Sequence, residues 1–224
     1  MNRTKYEQIK NGVRHSYDLV AKKYNSLFEN ELDTHEYDKT LLDEFSNNFK
    51  PNDAICEMGC GPSAQVGRYL LSKSFSIDCL DFSEKCIENA KTLENRITYI
   101  CKDMTNTRLP NEYYNGIVSF YALFHIPKPY QREALREFYR LLKPNGKILI
   151  VNHEGSMKKT FRKIWDMENL DLFSNFTNKY FMKKILIEEG FEVDEIFLKE
   201  SYYGFPKYRI VVKATKKNLT TAST

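Results

Sequence analysis

No Cys-x-x-Cys pair occurs in the 224 residues, and the five cysteines, at 56, 60, 79, 86 and 101, are odd in number. That usage signals neither a disulfide framework nor a zinc site. Cys56, Cys79 and Cys101 fall in expected strands, where a free thiol behaves as a small hydrophobe, which suits a reducing cytoplasm. No apolar run is long enough to cross a bilayer, and the polar start Met1–Lys10 holds no signal-peptide core. A membrane is therefore not an expected partner. Charge of one sign does not dominate: 34 Lys+Arg against 30 Asp+Glu leaves +4. The lysine pairs at 22–23, 158–159, 183–184 and 216–217 are scattered, as on solvated faces, so nucleic acid is not signalled. There are no internal repeats. What is present, 42% hydrophobic and 14% aromatic residues, suffices for one domain with a substantial core.

The chain is organised around Ala54-Ile55-Cys56-Glu57-Met58-Gly59-Cys60-Gly61-Pro62. It reads as a short buried strand that breaks into a glycine turn, with the carboxylate of Glu57 at the strand's exit. Gly59 and Gly61 lack a Cβ, so the backbone can turn tightly and approach a ligand. Ser63 is the expected cap of a helix over residues 65–73. Gly59, Gly61 and Ala64 also satisfy the dinucleotide pattern G-x-G-x-x-A, with Asp81 about 20 residues on. A plain structural turn fits too.

Before this turn, residues 1–50 read as a helical cap. Ile9, Val13, Tyr17, Val20 and Tyr24 recur at three- and four-residue steps. Within them, Tyr17-Asp18-Leu19-Val20-Ala21-Lys22-Lys23-Tyr24 suits either an amphipathic helix packed on a sheet or a lid whose tyrosines face a ligand. A further helix is expected over 36–48. After the turn, strands and helices alternate. Strands are expected over 76–80, 97–101, 116–121 and 147–151, with a Ser83-capped helix to about Leu93 and another over 130–142. Lys143-Pro144-Asn145-Gly146 is a turn. Residues 154–180 form an aromatic-rich insert without clear periodicity, holding Phe161, Trp165, Phe173 and Phe176. A helix over 179–189 and an antiparallel pair over 193–199 and 208–212 close a core spanning 51–215. The tail 216–224 reads as disordered.

Alternating strands and helices imply an α/β fold: a mostly parallel sheet, here of seven strands with an antiparallel closing strand, covered on both faces. Ligands bind such sheets at the carboxyl ends of the strands. Glu57, Asp81, Asp103 and Tyr121 all end predicted strands, so they converge on one rim.

With these motifs the sequence resembles the class I S-adenosylmethionine (SAM)-dependent methyltransferases, whose fold is Rossmann-like. The resemblance covers about residues 14–213. The family's glycine motif matches Glu57-Met58-Gly59-Cys60-Gly61-Pro62, with Ser63 where a third glycine often stands. Its second- and third-strand acids match Asp81 in Leu80-Asp81-Phe82-Ser83 and Asp103 in Lys102-Asp103-Met104. Its fourth-strand motif matches the stretch from Asn115 to Pro127, and its L-K-P-G-G turn resembles Leu141-Leu142-Lys143-Pro144-Asn145-Gly146. Uncharacterised bacterial methyltransferases presumed to act on small molecules share the entry helix and the late Glu200-Ser201-Tyr202. The combination displaces the dinucleotide reading.

The resemblance implies roles. Asp81 would accept the ribose hydroxyls, and Asp103 the adenine amino group with Met104 behind the ring and Phe82 on one face. Glu57, Gly59, Cys60 and Gly61 would meet the methionine portion. Ser83, Phe120, Tyr17 and Tyr24 complete the expected cofactor site. For proton removal the candidates are His125, for which an anchor of its own loop is the alternative reading, His153 beside Glu154, and Tyr121. No metal is expected. The acceptor pocket is expected to be walled by residues 121–125, the aromatic insert and Tyr202–Tyr203. The function expected is methyl transfer to an O or N atom of a small molecule. Two alternatives stand beside it: a tRNA or RNA methyltransferase, since such relatives share the His-Ile-Pro and L-K-P motifs, and a non-catalytic SAM-binding protein.

Overall fold

A computed structural model describes residues 1–217. Three helices come first: α1 (Arg3–Phe28), α2 (Glu31–Thr34) and α3 (Glu36–Ser46). Then follow β1 (Ala54–Met58), α4 (Gln65–Ser72), β2 (Ser76–Asp81), α5 (Glu84–Leu93), β3 (Thr98–Cys101) and β4 (Tyr114–Phe120). The second half comprises α6 (Lys128–Leu141), β5 (Leu142–His153), β6 (Lys158–Phe161), β7 (Leu172–Asn175), α7 (Lys179–Glu188), β8 (Phe191–Glu200) and β9 (Tyr208–Lys216). Seven strands form one sheet in the order β3-β2-β1-β4-β5-β9-β8. Only β9 runs antiparallel, to both β5 and β8. This is the Rossmann-like architecture expected.

Residue alternation explains why the sheet is buried on both faces. Along β5, Ile148 and Ile150 enter one core with α6 and α7. Leu149 and Val151 enter the other, with Leu41, Leu42 and Phe45 of α3 and Val66 and Leu70 of α4. A strand apolar on both sides is what a doubly covered parallel sheet needs. From β1 the chain proceeds through β2 and β3 on one side, then crosses to β4 on the other. The strand order reverses between β1 and β4, so a crevice opens at their carboxyl ends.

Three expectations need correction. Ser63 does not cap α4; the capping position is Ala64, in the left-handed conformation at φ 42°, with no side-chain bond. The carboxylate of Glu57 does that work, accepting the Gly67 N–H at 2.8 Å from across the turn. The insert is not irregular: β6 and β7 pair as an antiparallel hairpin. Lys216 is no part of a loose tail. It ends β9, buried, and its ammonium donates to the Leu142 carbonyl at 2.8 Å and meets Glu112 at 3.0 Å. The rest of the expected tail, from 218 on, lies outside the described residues. Among the described residues no helix is long and apolar enough to cross a membrane.

Candidate active site

A cavity of about 1120 Å³, counting its mouth, occupies the crevice at the carboxyl ends of β1, β2 and β4. Helix α1 lies across it. The helix buries Val13 and Val20 against Leu170, Leu172 and Phe173 of the insert, and turns Tyr17 and Tyr24 to the cavity. Several bonds fix it there. Lys10 reaches Asp103 at 2.9 Å, Asp18 accepts from the Ser83 hydroxyl at 2.6 Å, and the Ser16 hydroxyl accepts the Asp171 N–H at 2.8 Å.

The glycine turn shows why its glycines are there. Gly59 has φ +79°, and a Cβ on it would lie 2.4 Å from the Ala122 Cβ. Gly61 has φ +62°, and a Cβ on it would meet nothing within 4 Å. Its open side is the cavity that it lines. Gly67, inside α4, lets that helix sit on β2: a Cβ would be 2.4 Å from the Cys79 sulfur.

Five carboxylates line the cavity: Glu31, Asp38, Glu57, Asp81 and Asp103. Asp81 accepts the backbone N–H of Gly61 on one oxygen and of Ser83 on the other, each at 2.9 Å. Burial pushes its carboxyl up to about 6, against the pull of those amides. Glu57 is buried deeper, and burial lifts it to about 8 despite the Gly67 amide and the Cys79 thiol. Asp103 is braced by the Thr105 N–H and hydroxyl, both at 2.8 Å on one oxygen, with Lys10 on the other. Within hydrogen-bonding distance of so many acids, the cavity favours a cation.

His125 sits where α1, the turn after β4 and the insert meet. Its Nδ1 lies 2.7 Å from the Phe173 carbonyl, which can only accept, so Nδ1 carries the proton. Nε2 is then an acceptor, and the Tyr17 hydroxyl donates to it at 2.8 Å. Burial lowers His125 to about 4, partly offset by the Phe173 bond. The ring is thus neutral near pH 7, with its lone pair on Tyr17. His153 does not line the cavity. It packs behind Tyr121, against Phe124 and Phe176 with ring centroids 4.6 and 4.8 Å away, and its buried Nδ1 has no partner. Burial lowers it, too, to about 4.

The structure gathers Tyr17, Tyr24, Glu57, Gly59, Cys60, Gly61, Asp81, Phe82, Asp103, Met104, Phe120, Tyr121 and His125 around this one cavity. Ser83 stays outside it, because its hydroxyl accepts the Cys86 N–H as the cap of α5 and donates to Asp18. The insert does not wall the cavity either. Trp165 packs on the outer side of α1, against Tyr24 and Phe28. Its place is taken by Glu31, Leu32, His35 and Asp38 from α2, α3 and their junction. Sequence reasoning missed these, together with Arg209. That arginine is 1% exposed and donates from one nitrogen to Asp38 at 2.7 Å and to Tyr121 at 2.9 Å. Tyr202 covers its guanidinium at 4.2 Å and stacks on His35 at 3.6 Å. The expected Tyr202 side of the pocket therefore acts through Arg209 and His35.

Residues 55–146 match the family model described as a methyltransferase domain. The chain is 30% identical over 118 residues to phosphoethanolamine N-methyltransferase 3 of Arabidopsis thaliana, a match covering 50% of this chain and 23% of that enzyme. It is 28% identical over 148 residues to the demethylmenaquinone methyltransferase of Leptospira interrogans, covering 61% of this chain and 58% of the relative. The matches thus span about a quarter and just over half of these relatives' lengths. Among solved structures, a SAM-dependent methyltransferase from Methanosarcina mazei superposes with a TM-score of 0.69 at 18% identity, over 76% of this chain and 95% of its own, a likeness of fold.

Proposed function

We propose that this chain, a member of the class I SAM-dependent methyltransferase family, transfers the methyl group of SAM to a nitrogen or oxygen atom of a small molecule. One observation carries the reading: a cavity rich in carboxylates and tyrosines at the strand ends, roofed by α1. A roofed pocket of this kind takes a small molecule more readily than a polyanion.

The residues fit the cofactor. Asp81 spends one lone pair of each oxygen on the Gly61 and Ser83 amides, leaving others for the ribose hydroxyls. Phe82, Asp103 and Met104 would hold the adenine, whose amino group would share Asp103 with Lys10. Gly59, Cys60, Gly61 and Glu57 would face the amino-acid end, with Tyr24 and Phe120 as walls. SAM brings a methyl group already activated on a sulfonium. The protein's part is to align the acceptor and keep water out. The acceptor's proton would pass to the Tyr17 oxygen as Tyr17 gives its own proton to His125 Nε2, leaving His125 charged and held by the Phe173 carbonyl. Tyr121, held by Arg209, would line the acceptor's path, and His153 would support Tyr121 from behind.

The test is methyl-labelled SAM, added with the purified protein to a metabolite fraction below about 1 kDa and separately to total RNA of the source cell. Label in a small molecule is expected. Label in RNA alone would overturn the reading.

A further inference from the structure

We infer that Glu31 is the residue of this cavity that recognises an ammonium group, carried by the amino-acid end of the cofactor or by an amine acceptor. The inference rests on the cofactor reading above.

The argument compares the five carboxylates of the cavity. Asp38 is paired with Arg209 at 2.7 Å. Asp103 is paired with Lys10 at 2.9 Å and braced by Thr105. Asp81 accepts two backbone amides, and Glu57 one amide and a thiol. Each of the four has a built partner. Glu31 has only a long contact, 3.4 Å, from the Gln65 side-chain amide, and no ion pair among the described residues. Gln65 itself is fixed, because its oxygen accepts the Leu32 N–H at 2.8 Å. Glu31, half-buried, is therefore held in place with no counter-charge among the described residues.

Its surroundings suit a cation. Burial raises the Tyr24 and Tyr121 phenols, and the Glu31 charge adds to the rise of both. Tyr24 is itself wedged between Phe28 and Trp165, with ring centroids 4.7 and 5.1 Å away. A carboxylate beside fixed aromatic rings offers an ammonium both charge-assisted bonds and ring faces. Burial raises Glu31 to about 7, the state of a carboxyl lacking a counter-charge. Its position in the cavity is against Gln65, the first residue of α4.

Titration of S-adenosylhomocysteine and of 5′-methylthioadenosine, which keeps the nucleoside but has no amino acid, into wild type, Glu31→Gln and Glu31→Leu tests this. If Glu31 reads the cofactor, both variants lose about tenfold or more in affinity for the first ligand and none for the second. If it reads the acceptor, both nucleosides bind as in wild type. The thermal shift that ethanolamine or sarcosine adds to the S-adenosylhomocysteine-saturated wild type then vanishes in the variants. Unchanged nucleoside ratios, with no amine-induced shift that depends on Glu31, overturn the inference. A wild type that binds neither nucleoside overturns the cofactor reading, and this inference with it.

Discussion

Asp81→Asn separates two jobs that one side chain performs. The carboxylate holds the glycine turn by accepting Gly61 and Ser83 N–H groups at 2.9 Å each. In our reading it also accepts the ribose hydroxyls. Asparagine keeps the shape but replaces one oxygen by an NH₂, which cannot accept a backbone N–H. One buried amide is left unsatisfied, a loss of about 1–3 kcal/mol in stability. At least one charge-assisted ribose bond goes as well, about 1.5–3 kcal/mol, or roughly tenfold to 150-fold in affinity. Alanine would leave two amides unsatisfied and blur the two effects. The assay is calorimetric titration with S-adenosylhomocysteine, beside urea unfolding of the same samples. A 2′-deoxy analogue completes a cycle: it should bind wild type more weakly, and the variant should discriminate against it less. A destabilised variant with wild-type affinity, and equal discrimination by both proteins, would refute the ribose role and leave Asp81 a holder of the turn.

Two further predictions follow from buried charge. Glu57 has a folded-state value near 8 against an ordinary 4.5. Between these values the native state binds more protons than the unfolded chain, so stability should fall as pH rises from about 4.5 to 8. Unfolding midpoints across that range should fall less steeply for Glu57→Gln; parallel slopes would show that Glu57 is not the group responsible. Arg209→Met strands Asp38, 2% exposed, without its partner, and should cost about 3–5 kcal/mol in urea unfolding. Adding Asp38→Leu should recover part of that loss, and no recovery would show that the cost lies in Tyr121 and Tyr202 instead.

What the sequence disclosed, and what it hid, follows from the range of each interaction. The rim acids were legible because a carboxylate at the end of an alternating apolar strand can only face the ligand edge. Glu57, Asp81 and Asp103 needed nothing beyond their own segments to be placed. Ser63 misled because capping was read within the segment, whereas the amide that needs a cap is taken by Glu57, ten residues earlier. The insert misled differently. Lys158-Lys159-Thr160-Phe161 carries no apolar alternation, since β6 forms only half of a two-stranded hairpin and is mostly exposed. Its aromatics were counted as pocket wall, yet they clamp α1 from outside. Arg209 and Asp38 are 171 residues apart, and Lys10 and Asp103 are 93 apart. Nothing local marks either pair.

The placement of charge also bears on which acceptor the cavity can take. Nucleic acid approaches a protein through its phosphates, which need unpaired cations near the reacting centre. Lys10 lines the cavity and is already bound to Asp103 and Glu7, at 2.9 and 2.6 Å. Arg209 is bound to Asp38 and sits beneath Tyr202. Lys10 and Arg209 are thus spent on the protein's own acids, whereas Lys102, which also lines the cavity, has no ion pair among the described residues, and Glu31 is not matched by any cation there. A phosphate entering here would meet five carboxylates and, among the described residues, a single unpaired lysine, whereas an amine would meet a partner in Glu31. In our reading the same arithmetic would favour SAM, a cation, over its neutral-sulfur product, so that methyl transfer would itself weaken the hold on the spent cofactor. The preference for SAM over S-adenosylhomocysteine should therefore narrow in two steps as pH falls, first through about 8, where Glu57 takes up its proton, and then through about 6, where Asp81 does, as paired titrations with the two ligands would read.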